Sequence, residues 1–199
     1  MQKSFPLDLT KRLNIVYSVI AKNYSSEAIV LARRNYSEAD RILVVLTKNF
    51  GKISLLAKGV RLPKSKKRGH LEVFSHIKFS ASKGKSLDLI TEAEMIDSYA
   101  EIRANLKKVS VAYFFMEGVG RLIHEGEKNE QLFNFMLDYL NKLRESSHLR
   151  KLRLNYIYDI LVILGFWPKG RRMDNPDFVL EEVTERKLTS LRVGKKLFS

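Results

Sequence analysis

Across 199 residues, 36 Lys and Arg outnumber 22 Asp and Glu, for a formal charge of +14, with 45 % apolar content and no cysteine. That balance predicts a folded chain of one domain or two small ones, and zero cysteine excludes disulfides, thiolate zinc sites, iron–sulfur clusters and a cysteine nucleophile. The longest apolar runs, Ile42–Leu46 and Ile160–Leu164, fall short of the roughly 20 residues that cross a bilayer, which predicts a soluble chain, and the positive excess puts polyanions first among partners.

Residues 1–25 read as an N-terminal extension, because the apolar stretch Leu13–Ala21 is broken by Asn14, Tyr17 and Ser18 and lacks the clean core of a signal peptide. From Glu27 to about Glu94 the pattern is that of short β-branched runs divided by turn residues. Five strands are expected: Ala28–Arg33, Arg41–Thr47, Lys52–Lys58, Glu72–Ser80 and Ser86–Glu92. Tight turns and one long loop over residues 26–95 point to a closed five-stranded OB-fold barrel, since closure removes exposed edges. The fourth strand alternates, with Val73, Ser75, Ile77 and Phe79 on one face. Phe74, His76, Lys78 and Ser80 take the other, where the ring of Phe74 and the cation of Lys78 would suit a single strand of nucleic acid.

The long loop holds the densest charge. Lys58, Arg61, Lys64, Lys66, Lys67 and Arg68 follow one another with no acid between them. Gly59, Pro63, Ser65 and Gly69 rule out a continuous helix there, so the segment reads as a mobile basic arm able to track a phosphate backbone. Residues 1–100 carry a net +9 against +5 for the remainder, which places most of the surplus with the barrel.

After Asp97-Ser98, a candidate N-cap, the period changes to 3.6. Leu106, Val109, Tyr113, Met116, Gly120 and Ile123 form one stripe. Leu132, Phe133, Met136, Tyr139, Leu140 and Leu143 form a second, and Leu149, Leu152, Tyr156, Ile160, Ile163 and Leu164 a third. The expectation is an α+β chain in which an all-α bundle, residues 96–168, follows the barrel. A basic segment, 169–199, would add one helix over Leu180–Leu191.

Chemistry is hard to place. His70, His76, His124 and His148 share no ligand spacing, and no GxxxxGK[ST] or GxGxxG occurs. Glu38 and Asp40 read as turn-capping carboxylates. Neither catalysis nor a cofactor or metal is expected, which leaves binding.

The segments Ile29–Arg41, Thr47–Ile53 and Ala57–Arg61, with Pro63-Lys64-Ser65, Glu72–Ser75, Leu87–Glu94, Ser98–Arg103 and Leu164–Pro168, together resemble the bacterial recombination mediator family RecO. That resemblance implies an N-terminal OB-fold, a helical C-terminal part and no enzyme activity. It implies binding of single- and double-stranded DNA, strand annealing, contacts with RecR and with the C-terminal tail of single-strand DNA-binding protein, and indirect help to RecA. It places the chain in the bacterial cytoplasm at the nucleoid. Arg33, Arg34, Lys58, Arg61, Lys64, Lys66, Lys67 and Arg68 are carried over as DNA contacts, and Glu38, Asp40 and Arg41 as structural members of a signature turn. Many members place four zinc-binding cysteines after the Gly-aromatic-x-Pro segment, where this chain has Lys169-Gly170-Arg171-Arg172. The alternative is an RNA-binding OB module joined to a helical protein-interaction domain.

Overall fold

Apolar runs without polar interruption mark a strand buried on both faces, and the second strand of this chain is such a case. The computed structural model describes residues 23–65 and 69–185. Its strands are β1 (Asn23–Asn35), β2 (Arg41–Thr47), β3 (Gly51–Ala57), β4 (His76–Ser82) and β5 (Asp88–Asp97). They close into a barrel in the order β1-β2-β3-β5-β4, parallel only between β3 and β5. This is the OB-like barrel that the turn spacing predicts. Leu43 and Val45 of β2 fill the barrel with Val30, Leu55, Ile77 and Phe79. Leu46 of the same strand instead joins Ile29, Leu31 and Val73 in a second core shared with the helices. The register of β1 on β2 slips between Val30 and Ala32, a bulge at Leu31 that sharpens the local bend.

The β2–β3 turn is built by Thr47, whose hydroxyl donates to the Gly51 carbonyl at 2.8 Å and accepts from the Phe50 N–H at 2.9 Å. Gly51 has φ +69°, and a Cβ there would lie 2.1 Å from the Glu127 carbonyl oxygen. Only glycine fits where this hairpin meets the helices.

Three strands differ from expectation. β1 begins at Asn23, inside the expected extension, whose residues 1–22 lie outside the described ones. β4 begins at His76 rather than Glu72, because Glu72–Ser75 is a turn. The Ser75 N–H donates to the Glu72 carbonyl at 3.1 Å, and Phe74 has φ +56°, which no strand residue adopts. β5 in turn runs on to Asp97.

Helices follow as α1 (Ala100–Arg103), α2 (Leu106–Leu122), α3 (Glu130–Glu145), α4 (Leu149–Ile163) and α5 (Pro176–Val183). Asp97 does not cap the long helix. Its carboxylate accepts from the Tyr99 N–H at 2.7 Å ahead of the single turn α1, and α2 is capped by Asn105, which accepts from the N–H groups of Lys107 and Lys108. The α2 stripe also differs in part from expectation, since Leu106 and Tyr113 are 67 % and 43 % exposed. Met116 and Ile123 of the expected stripe are buried, and the buried face goes on over Val111, Phe114, Phe115, Val119 and Leu122. Apolar residues cover most of this helix, so two faces satisfy the same three-and-four spacing.

The α3 stripe is buried as expected. Tyr156 of α4 stacks on Phe115 at 4.2 Å and donates to the Phe115 carbonyl at 2.8 Å. Gly165, at φ +77°, ends α4. The last helix starts at Pro176 behind the Asn175 cap, earlier than Leu180, and the remainder of the expected Leu180–Leu191 element, from residue 186, lies outside the described residues.

Candidate nucleic-acid interface

One end of the barrel gathers the β1–β2 turn and the loop that follows β3. Asp40 ties the two together: its carboxylate accepts from the Gly59 N–H at 2.8 Å, where Gly59 has φ +64°. Arg61 adds two bonds, from its N–H to the Ala39 carbonyl and from its guanidinium to the Ser37 carbonyl, each 2.9 Å. Val60 and Leu71 are fully buried in the barrel core. The described parts of the loop are therefore pinned rather than forming a mobile arm, and Arg61 serves the turn it crosses. Lys58 and Lys64 are exposed beside it, as is Arg34 at the end of β1. Lys66, Lys67 and Arg68 lie outside the described residues.

The remaining expected contacts separate. The guanidinium of Arg33 bonds the Glu72 carboxylate, which also lies 3.6 Å from Arg41. Phe74 is 1 % exposed; its ring packs edge-on against Tyr113 at 5.9 Å and lies 4.0 Å beneath the Arg103 guanidinium. A base cannot stack on a ring so enclosed, so Phe74 leaves the candidate surface. The period-2 pattern carried it onto a strand face because Val73–Phe79 alternates straight through the turn. Lys78 is exposed on β4, yet its register neighbours are Glu27 on β1 and Glu94 on β5, so it sits in a negative setting.

Arg103 and Lys52, absent from the expected set, join barrel to helices. Arg103 donates to the Val73 carbonyl at 2.9 Å, the Ser75 hydroxyl at 3.0 Å and the Ser98 carbonyl at 2.7 Å. Partial burial lowers its pKa, and Glu72 opposes that shift. Lys52 donates to the Gly120 carbonyl at 2.7 Å and to the Ile123 carbonyl at the C-terminal end of α2, where a cation is favoured; burial lowers its pKa too. Both residues stand in motifs quoted for the resemblance, the one sequence signal that could have found them.

Two grooves flank this framework. The larger, about 780 Å³, runs between the barrel and α2 over Leu31, Val44, Val73, Val109 and Met116. Its edge charges are held internally: Arg33 by Glu72, Lys52 by carbonyls, and Arg121 by Glu117 at 2.5 Å. The smaller, about 590 Å³, lies at the starts of α2 and α4, with Leu149 and Leu154 bordered by Lys107, His148, Arg150 and Lys151. No acid lines it. Among the described residues, no group of three or more His, Cys, Asp or Glu is placed to hold a metal ion, and no helix is long and apolar enough to cross a membrane.

Comparison with known proteins matches residues 21–99 to the family model "Recombination protein O N terminal" and residues 103–172 to "Recombination protein O C terminal". Among curated relatives, the DNA repair protein RecO of Pelotomaculum thermopropionicum is 33 % identical over 147 residues, 74 % of this chain and 57 % of that protein. The DNA repair protein RecO of Roseiflexus sp. is 30 % identical over 163 residues, 82 % and 57 %, and that of Dehalococcoides mccartyi strain 195 is 31 % identical over 153 residues, 77 % and 60 %. The chain thus spans less than two thirds of the length of these relatives.

Proposed function

This chain belongs to the RecO family, and from that premise we propose that it is a non-catalytic DNA-binding mediator of recombinational DNA repair. In this reading it binds single- and double-stranded DNA, anneals complementary strands and helps load recombinase onto strands coated by single-strand DNA-binding protein. One observation supports it above the rest: a loop pinned across the end of a closed barrel, with Arg34, Lys58 and Lys64 exposed around it. Cations fixed on a rigid barrel contact successive phosphates at little ordering cost, and Lys66, Lys67 and Arg68 extend the same run.

In this reading the barrel, β1 to β5, is the DNA-binding part, and the helices that follow it carry the protein contacts, with RecR and with the acidic C-terminal tail of single-strand DNA-binding protein. For that tail the smaller groove supplies leucines at its base and cations at its border. RecA is reached indirectly, and the site of action is the bacterial nucleoid.

The deciding experiment is annealing of complementary oligonucleotides coated with the cognate single-strand DNA-binding protein. Acceleration by the full chain is the expected result; none, together with tighter binding of folded RNA than of single-stranded DNA, would replace this reading with the RNA-binding one. About six phosphate contacts would give a log–log salt slope near −4 on single strands.

A further inference from the structure

Beneath the loop lies a knot of charge that the proposed DNA contacts leave unused. Arg33 of β1 and Arg41 of β2 both meet the carboxylate of Glu72, Arg33 directly and Arg41 at 3.6 Å. Arg103 approaches from α1 and binds the carbonyl of the next residue, Val73. Two guanidiniums meet this one carboxylate, and the third, Arg103, lies close enough to feel its charge. Arg33 and Glu72 each keep about a third of their side-chain surface in solvent, at 30 % and 32 %, so the pair can be reached from outside.

The backbone that carries Glu72 is fixed. Its turn is hooked to β1 at Val30, whose carbonyl accepts from the Phe74 N–H at 2.8 Å and whose N–H donates to the Ser75 carbonyl at 3.1 Å. Only the Glu72 side chain is free to swing, on a stem of three rotatable bonds. Guanidinium forks receive carboxylate and phosphate oxygens in the same planar geometry. A phosphodiester presents the same single charge on two free oxygens as the carboxylate does.

We propose that Glu72 is an internal stand-in for a nucleic-acid phosphate: the backbone of a DNA strand lying along Arg34, Lys58 and Lys64 displaces the Glu72 carboxylate and takes over Arg33 and Arg41. This rests on the DNA-binding reading above. It makes Arg33 a contact that exists only after exchange, so its worth depends on what residue 72 is.

The test is a double-mutant cycle on the full chain, read by fluorescence anisotropy with a labelled oligo(dT) of about 30 nucleotides across a NaCl series. Glu72→Gln is expected to tighten binding about five-fold at low salt, because the phosphate no longer has a carboxylate to displace, and to leave the log–log slope within about 0.2, since Arg33 meets that phosphate in both chains. Arg33→Ala alone is expected to change affinity less than about two-fold, whereas added to Glu72→Gln it removes the gain. Glu38→Gln, an exposed acid on the neighbouring turn, sets the effect of merely deleting a negative charge and should leave the slope unchanged.

Melting temperatures are recorded for every variant. Should Glu72→Gln melt early, Glu72→Asp replaces it, since the shorter carboxylate loosens its hold on Arg33 and gives a smaller gain of the same sign. Additive effects of the two substitutions, an equal gain from Glu38→Gln, or a lowered melting temperature with unchanged binding would each overturn the exchange site while leaving DNA binding standing. No binding of oligo(dT) by the unsubstituted chain overturns the DNA-binding reading, and the exchange site with it.

Discussion

The joint between barrel and α2 and the loop end of the same barrel are both rich in cations, but they use them differently. At the joint, Lys52 is bonded to helix-end carbonyls and Arg103 to Val73, Ser75 and Ser98. At the loop end Arg34, Lys58 and Lys64 are exposed, while Arg61 is bonded into the turn. Cations answered by carbonyls hold elements together; cations left to water attract a polyanion. Net charge alone cannot separate the two, so substitutions should: joint variants should move stability, and loop variants should move the salt dependence of binding.

The largest effect is expected at Gly51. An alanine there meets both the positive φ and the Glu127 carbonyl 2.1 Å away, so the hairpin must leave the α2–α3 connection, where the Gly126 N–H bonds the Lys52 carbonyl at 2.8 Å. Gly51→Ala should cost about 3 kcal/mol or more, measured by urea unfolding, with a salt slope for DNA binding unchanged at temperatures where the variant is folded. A loss below about 1 kcal/mol would show that the joint tolerates separation. Arg103→Ala removes three hydrogen bonds and the cation above Phe74, but the side chain is partly in solvent, so about 1–2 kcal/mol is expected. A flattened salt slope in that variant would move Arg103 across the comparison, from joint to binding surface.

Loop variants reverse the pattern. The pair Lys58→Ala and Lys64→Ala should weaken DNA binding about ten-fold near 0.1 M salt and flatten the slope by about 1.4, with a melting temperature within about 1 °C of the parent. Unchanged affinity and slope would remove the pinned loop as the contact surface.

What the sequence makes legible follows from how far apart the interacting residues lie. The barrel is readable because the turn signals between β1, β2 and β3 are local, and the α3 stripe because its polar face is distinct. Phe74 misleads because a positive φ at a phenylalanine has no local signature; its cause is Val30 on one side and Arg103 on the other. The α2 face misleads because apolar residues cover most of this helix, so that two faces share the same spacing. The cluster around Glu72 is closed by Arg33, 39 residues away, and by Arg41, beyond the reach of any pattern in a short window.

Lys78 carries the same lesson and the smallest expected effect. Read along its strand, it shares a face with an aromatic residue and looks like a phosphate contact; read across the barrel, it stands between Glu27 and Glu94. Exposed charges a strand apart interact by a few tenths of a kcal/mol up to about 1 kcal/mol, enough to cancel the pull of a single cation on a phosphate. Lys78→Ala should therefore change DNA affinity by less than about two-fold and leave the salt slope within about 0.2, measured in the same anisotropy series as the loop pair. A slope flattened by about 0.7 would put a phosphate on β4. The binding surface would then extend from the loop end down the side of the barrel, against the division of cations drawn above.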